Sequence, residues 1–174
     1  MNMSTEHPQE NNRLEAIKTL REMINDIHVA MLTTVAADGH VRSRPMLTVT
    51  HEFDGDLWFF TLSTDPKTDE IIHNPRVGLT YSSPTQGRFV SLAGTAEIIS
   101  NRKKMELMWN DELLEWFPAG VEDPDLSLIR VRVDEAEFWH LKSRPFGYFR
   151  SMVSGRPASE HRHERLEWQE TTRQ

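Results

Sequence analysis

Residues 29–62 decide the architecture: VAMLTTVA (29–36), ADGH (37–40), VRSRPMLTVT (41–50), HEFDG (51–55) and DLWFFTL (56–62). The first, third and last segments are rich in β-branched, aliphatic and aromatic residues, and Asp38-Gly39 stands where a tight hairpin turn belongs. Asp54-Gly55 supplies a second turn, so three strands follow one another with no helix between them. Such a run predicts an antiparallel meander or barrel and speaks against a doubly wound parallel sheet.

Working outward, residues 1–12 are polar and read as a flexible arm. Leu14, Ile17, Leu20, Ile24 and Ile27 then recur at three- and four-residue steps, the pattern of an amphipathic helix capped by Asn11 or Asn12. Downstream, DPKTDEIIH (65–73) predicts a short helix with Asp65 as cap, Pro66 in its first turn and Asn74-Pro75 as stop. RVGLTYS and RFVSLAGTAEII supply two strands. A helix capped by Ser100 or Asn101 carries Met105, Met108 and Trp109, and a second helical piece through DELLEWF is ended by Pro118 and Gly120. LSLIRVRV and AEFWHLK complete the sheet. The expectation is a mainly β domain over 13–150, a six- to seven-stranded antiparallel barrel with helices outside it. Residues 151–174 lack an apolar stripe and read as a polar tail or weak helix.

Composition narrows the function. With 174 residues, 37% hydrophobic and 27% charged, the chain suits one domain with a real core, which rules out wholesale disorder. Neither a membrane-spanning apolar run nor a secretory leader is present, so the cytoplasm is the expected compartment. A net charge of −7 disfavours nucleic acid and anionic membranes as partners. The absence of cysteine removes disulfides, thiolate nucleophiles and Cys-type metal sites, so any redox chemistry needs a bound cofactor. The chain has no GxGxxG, Walker loop or GxSxG elbow. His161-Arg162-His163 is not a metal-binding HExxH pattern, and no metal is expected.

Two elements stand out as anion binders. Arg42 and Arg44 alternate onto one face of their strand and can converge on one anion, while Pro45 marks that strand as an edge or a bulge. Thr61, Ser63 and Thr64 offer hydroxyls beside Lys67, which sits in the first turn of a helix whose backbone N–H groups favour a phosphate. The plainer readings are a solvated strand face and a capped helix with a surface lysine. Trp58 and Phe60 face opposite to Phe59, so a large ring needs a partner outside the core. With Trp109, Trp116 and Phe117 they are core rings or the walls of a planar ligand site.

The ordered segments DGH…SRPM, Asp54-Gly55 with LWFFT, the Lys67 helix, NPRVGLTY, VSLAGTAEI, WFPAGVEDPDLSLIRV and EFWHL resemble the FMN-binding split-barrel superfamily, in particular pyridoxamine 5′-phosphate oxidase-like proteins of the general stress protein 26 type. The resemblance spans about Leu14 to Trp139. It implies a split barrel that dimerises with FMN in the interface. It implies that Arg44, Thr61 and Lys67 contact the phosphate, and that Arg42 with Ser43, Arg44, Pro45 and Met46 lines the isoalloxazine and ribityl region. Trp109 and Trp116 match an aromatic insertion that covers flavin from the partner subunit. The phosphate segment Ser-Arg-Lys is Asp65-Pro66-Lys67 here, and an Arg-x-His substrate segment has no counterpart, so oxidation of vitamin B6 phosphate is not expected. The resulting expectation is a homodimeric FMN-dependent oxidoreductase acting on a small molecule. The alternatives are a non-catalytic flavin-binding, storage or sensing protein, and a barrel for another planar or phosphorylated ligand.

Overall fold

The computed structural model describes residues 8–49, 53–141 and 161–167. Helix α1 (Pro8–Ile24) is followed by strands β1 (Val29–Val35), β2 (Val41–Leu47) and β3 (Asp56–Leu62), helix α2 (Pro66–His73), and strands β4 (Arg76–Ser83) and β5 (Arg88–Ile99). Helix α3 (Arg102–Met108), two 3-10 turns at Asp111–Glu115 and Gly120–Glu122, and strands β6 (Leu126–Leu141) and β7 (His161–Glu167) complete the order. All strands join one antiparallel sheet in the order β2-β1-β4-β5-β6-β3, with β7 added on β6.

The two ends of that path are β2 and β3, and they touch at one place. Thr48 bridges Phe59, and the Val49 N–H donates to the Trp58 carbonyl at 3.0 Å. The sheet therefore curls until its edges meet once and diverge again, which is the split barrel that the resemblance implies. Both turns form as the sequence demands: Gly39 has φ 83° and Gly55 φ 117°, values that favour glycine. Pro45 lies on the edge strand β2, where a missing N–H is tolerated.

Strand alternation divides the apolar residues into two clusters. Phe59, with Ile129 opposite it on β6, faces the barrel interior among Leu32, Leu79, Tyr81 and Phe138. Trp58 and Phe60 face outward with Leu128 and are roofed by Met105 and Leu113 of the segment between β5 and β6. Asn101 caps α3 by accepting from the Lys104 N–H at 3.0 Å.

Four details differ from the sequence reading. Helix α1 begins at Pro8 rather than after Asn11 or Asn12, proline being well suited to a first helical turn. Its Leu14 is exposed, while Ile17, Leu20 and Ile24 are buried against the barrel. The two final strands expected at 126–133 and 136–142 are one strand of 16 residues. Its partner changes midway: β3 pairs with Leu126–Arg132 and β7 with Glu135–Leu141, so both halves keep their hydrogen bonds without a break in the chain. The fourth difference is β7 itself, because residues 161–167 form a strand where a tail or weak helix was expected. A short polar segment carries no period of its own, and pairing with β6 supplies the order. Residues 1–7 of the expected arm and the remainder of the tail beyond 141 lie outside the described residues.

Opposite the partner change, the β5–β6 register shifts between Ala93 and Gly94, leaving Asp134 as the extra residue. Thr95 Oγ1 donates to Asp134 Oδ2 at 3.0 Å and holds the bulge. A Cβ on Gly94 would lie 2.3 Å from the Arg132 carbonyl oxygen, a backbone atom that cannot move alone. Gly94→Ala is expected to destabilise the protein by about 1–3 kcal/mol, the range for overpacking. Gly78→Ala, whose added Cβ would be no closer than 3.7 Å to its neighbours, is the matched control. Urea unfolding of both variants checks this, with a clear drop in midpoint expected only for Gly94→Ala.

Candidate functional site

The divergence of β2 from β3 opens a cleft of about 290 Å³. Val29, Pro45, Met46 and Leu47 of the first hairpin form one wall, Phe60 and Leu62 of β3 the facing one, and Leu113, Trp116 and Phe117 a third. Asp65 and Lys67 stand at the start of α2 and are the only ionisable residues among the described residues that line it. Trp109 meets Phe60 edge-on at 5.4 Å between ring centroids and 84° between planes, so it supports the wall rather than lining the cleft. The volume is near the lower end for small-molecule sites, and Trp116 keeps 66% of its surface exposed beside it.

Lys67 pairs with Asp65, whose Oδ2 also accepts from Thr61 Oγ1 at 3.2 Å. Thr61 is buried, as its place beside Phe59 on the inward face requires. Asp65 holds the cap position of α2 but makes no side-chain cap bond there. Partial burial pushes its carboxyl up, but the hydrogen bond and charge of Lys67 with the Thr61 hydroxyl outweigh this and hold it below the usual value. Ser63 turns elsewhere, its N–H donating to the Asp125 carbonyl at 2.7 Å.

Arg42 and Arg44 do converge on one anion, and that anion is a side chain of the protein. Arg42 Nη1 lies 3.2 Å from Glu70 Oε1, and Arg44 Nη2 2.8 Å from Glu70 Oε2. Thr34 Oγ1 accepts from Arg44 Nη1 at 2.8 Å and donates to Glu70 Oε2 at 2.5 Å, closing a ring of contacts across β1, β2 and α2. Glu70 is only 6% exposed. Burial pushes its carboxyl up, yet the hydrogen bonds from Thr34 and Arg44 and the charges of Arg44 and Arg42 win and hold it low.

Of the residues singled out from sequence, Pro45, Met46, Phe60, Lys67 and Trp116 thus share one cleft. Ser43 lies on the face of β2 opposite Arg42 and Arg44, where its hydroxyl meets Thr33 Oγ1 at 2.7 Å. Trp58 lies beneath the Lys104 ammonium, 3.6 Å from its ring centroid. Glu70 and Thr34 were missed, although Glu70 follows Lys67 by three positions and so lies one helical turn along the same side of α2.

Because the folded protein holds Glu70 below its unfolded value, its contribution is present above the ordinary carboxylate range and fades as pH falls through the folded value. Glu70→Ala leaves Arg44 unpaired and is expected to cost about 2–4 kcal/mol at neutral pH. The gap from wild type should narrow below about pH 4. Urea denaturation across that range checks it, and a gap independent of pH would remove the ionic account.

Comparison with known proteins places this geometry. The family described as pyridoxamine 5′-phosphate oxidase like matches residues 15–160. Protein bli-3 of Neurospora crassa is 26% identical over 172 residues, 91% of this chain and 80% of that protein. Among solved structures, the general stress FMN/FAD binding protein of Xanthomonas citri is 26% identical with a TM-score of 0.64, covering 75% of this chain and 92% of its own. A Clostridium acetobutylicum protein related to general stress protein 26 of B. subtilis, of the pyridoxinephosphate oxidase family, shares the fold at a TM-score of 0.65 and 19% identity, over 74% of this chain and 91% of its own. With most of its length matched, and with the sheet order and edge-to-edge split on which that fold rests, the chain belongs to the pyridoxamine 5′-phosphate oxidase-like family.

Proposed function

We propose that the protein is a cytoplasmic, homodimeric flavin-binding oxidoreductase that takes FMN in the cleft between β2 and β3. The observation that carries this reading is the composition of the cleft: an apolar, aromatic trough of Phe60, Leu113, Trp116 and Phe117 ending at the lysine-bearing start of α2. A planar ring system matches the first part and a phosphate the second. The chemistry of the donors fits the cofactor, with Lys67 for the tail and the rings of Phe60 and Trp116 for the flavin. The Xanthomonas citri protein, described as FMN/FAD binding, supports the same assignment. Bound flavin would supply electron transfer that this cysteine-free chain has no side chain to perform. The protein's part is to bind, orient and exclude water.

A second copy of the chain is the natural cover for the exposed rim. On β1 and β2, Val29, Met31 and Val41 share the outward face of the hairpin and are all substantially exposed. Val29 also lines the cleft, so the apolar face and the trough are continuous. No helix among the described residues is long and apolar enough to cross a membrane. A specific observation also favours the non-catalytic reading, in which flavin is stored or sensed. The one acid and one base among the described residues that line the cleft, Asp65 and Lys67, are spent on each other.

A visible absorption spectrum of freshly purified protein, heat release with mass identification of the ligand, and a light-scattering mass test the proposal. A yellow dimer releasing FMN is expected. A colourless protein that ignores added FMN overturns the assignment. Reduction of bound flavin by NADH or NADPH faster than free FMN separates the enzyme from the store. Trp116→Ala should weaken FMN binding by about tenfold while leaving stability within about 0.5 kcal/mol, because the ring is mostly solvent-exposed in the single chain.

A further inference from the structure

The acid that shares the cleft with Lys67 carries a step beyond the flavin reading, and rests on it. A carboxylate at a helix cap position ordinarily accepts from a backbone N–H of the first turn. Asp65 makes no such bond. Its Oδ2 instead accepts from Lys67 Nζ and from Thr61 Oγ1, at the end of the trough. An ammonium, a hydroxyl and a helix start without a side-chain cap are the donors that a terminal phosphate seeks. Two of those three already hold an anion.

We propose that Asp65 is the specificity-determining residue of the cleft: its carboxylate stands in for the phosphate of the ligand, so that FMN gains little over unphosphorylated flavin and the bound cofactor is exchangeable. A phosphate that enters beside Asp65 meets a like charge within hydrogen-bonding range. A phosphate that displaces it forfeits the Lys67 pair, so its gain is the difference between two similar charge-assisted bonds. Asp65 is free to make that exchange, since its side chain is 35% exposed and anchors no part of the core. The next cations cannot compensate. Arg44 is committed to Glu70 and Thr34, and withdrawing it would strand a buried carboxylate. The ring-binding half of the cleft lies apart from this exchange, because Phe60, Leu113, Trp116 and Phe117 carry no charge. Asp65 therefore acts on the tail of the ligand alone.

The test is a pair of titrations, FMN and riboflavin, followed by flavin fluorescence with the full chain. Wild type, Asp65→Asn and Asp65→Ser are compared, each with and without Lys67→Ala. Removing the carboxylate should tighten FMN by about tenfold, the size of one charge-assisted bond, and leave riboflavin within about twofold. Lys67→Ala should then weaken FMN binding more in the Asp65→Ser background than in wild type, a coupling that a merely structural Asp65 would not show. FMN affinity that is unchanged or reduced in both Asp65 variants overturns the proposal and makes Asp65 a positioning residue for Lys67. Equal tightening of FMN and riboflavin overturns it as well. If wild type binds FMN while the Asp65 variants do not differ from it, this inference alone fails. If no form binds either flavin, the flavin assignment fails and this inference with it.

Discussion

A carboxylate taken out of water must be compensated on every side, and Glu70 is the buried acid that ties the site together. Its partners come from two strands, Thr34 from β1 and Arg42 and Arg44 from β2, and together they tie α2 to the first hairpin. Helix α2 is only eight residues long and too short to be stable alone, so it takes its position from what it packs against. The buried Ile71 supplies apolar contact, but apolar contact does not fix rotation about the helix axis. The Glu70 ring of hydrogen bonds does. With Glu70 facing β2, Lys67 one turn earlier is directed toward the same edge, which is where the barrel splits. The cation at the end of the cleft is thus placed by a negative charge outside it.

The cleft needs a second condition, which β3 meets. A strand with large rings on both faces cannot be satisfied by one core. Phe59 fills the barrel, and Trp58 and Phe60 oblige the chain to bring an outer layer over them. The segment between β5 and β6 is that layer, pinned at its start by the Asn101 cap and closed over Phe60 by Leu113, Trp109 and Phe117. Since β2 leaves β3 after the Thr48–Phe59 bridge, the same layer overhangs the gap and becomes the third wall of the trough. Barrel closure and ligand space are therefore two results of one geometric fact: the sheet edges meet once.

The fold was legible because its signals are local. Asp38-Gly39 and Asp54-Gly55 specify turns by backbone conformation, Pro45 specifies an edge by its missing donor, and the strands follow from what lies between. Strand alternation was enough to place Arg42 with Arg44 and to separate Phe59 from its neighbours. What could not be read are pairings set by tertiary contact. Glu70 looks like any polar residue on a short helix, and only the packing of α2 against β1 reveals that it faces inward. The strand His161–Glu167 has no apolar alternation to announce it, and it exists because the second half of β6 has a free edge once β3 has ended. Long-range pairing of a polar segment leaves no periodic trace in sequence.

The charges around the cleft also show how an acidic protein keeps several cations together without an open basic patch. Arg42, Arg44 and Lys67 face Asp38, Asp65 and Glu70, three cations against three carboxylates, so the cluster is balanced within a chain of net charge −7. An excess of cations would bind phosphate more strongly but would be unstable when empty, because like charges this close repel and the half-buried Arg44 would lack a partner. A balanced set folds without ligand. In the proposed flavin complex the labour within the cleft would be divided: ionic groups largely satisfied by one another would set the position of the ligand's tail, and the remaining free energy of binding would come from the apolar trough. In the proposed dimer a second chain would cover Trp116 and the outward face of β1 and β2 and complete that trough, so affinity for the ring system and association of two chains would be coupled through one surface.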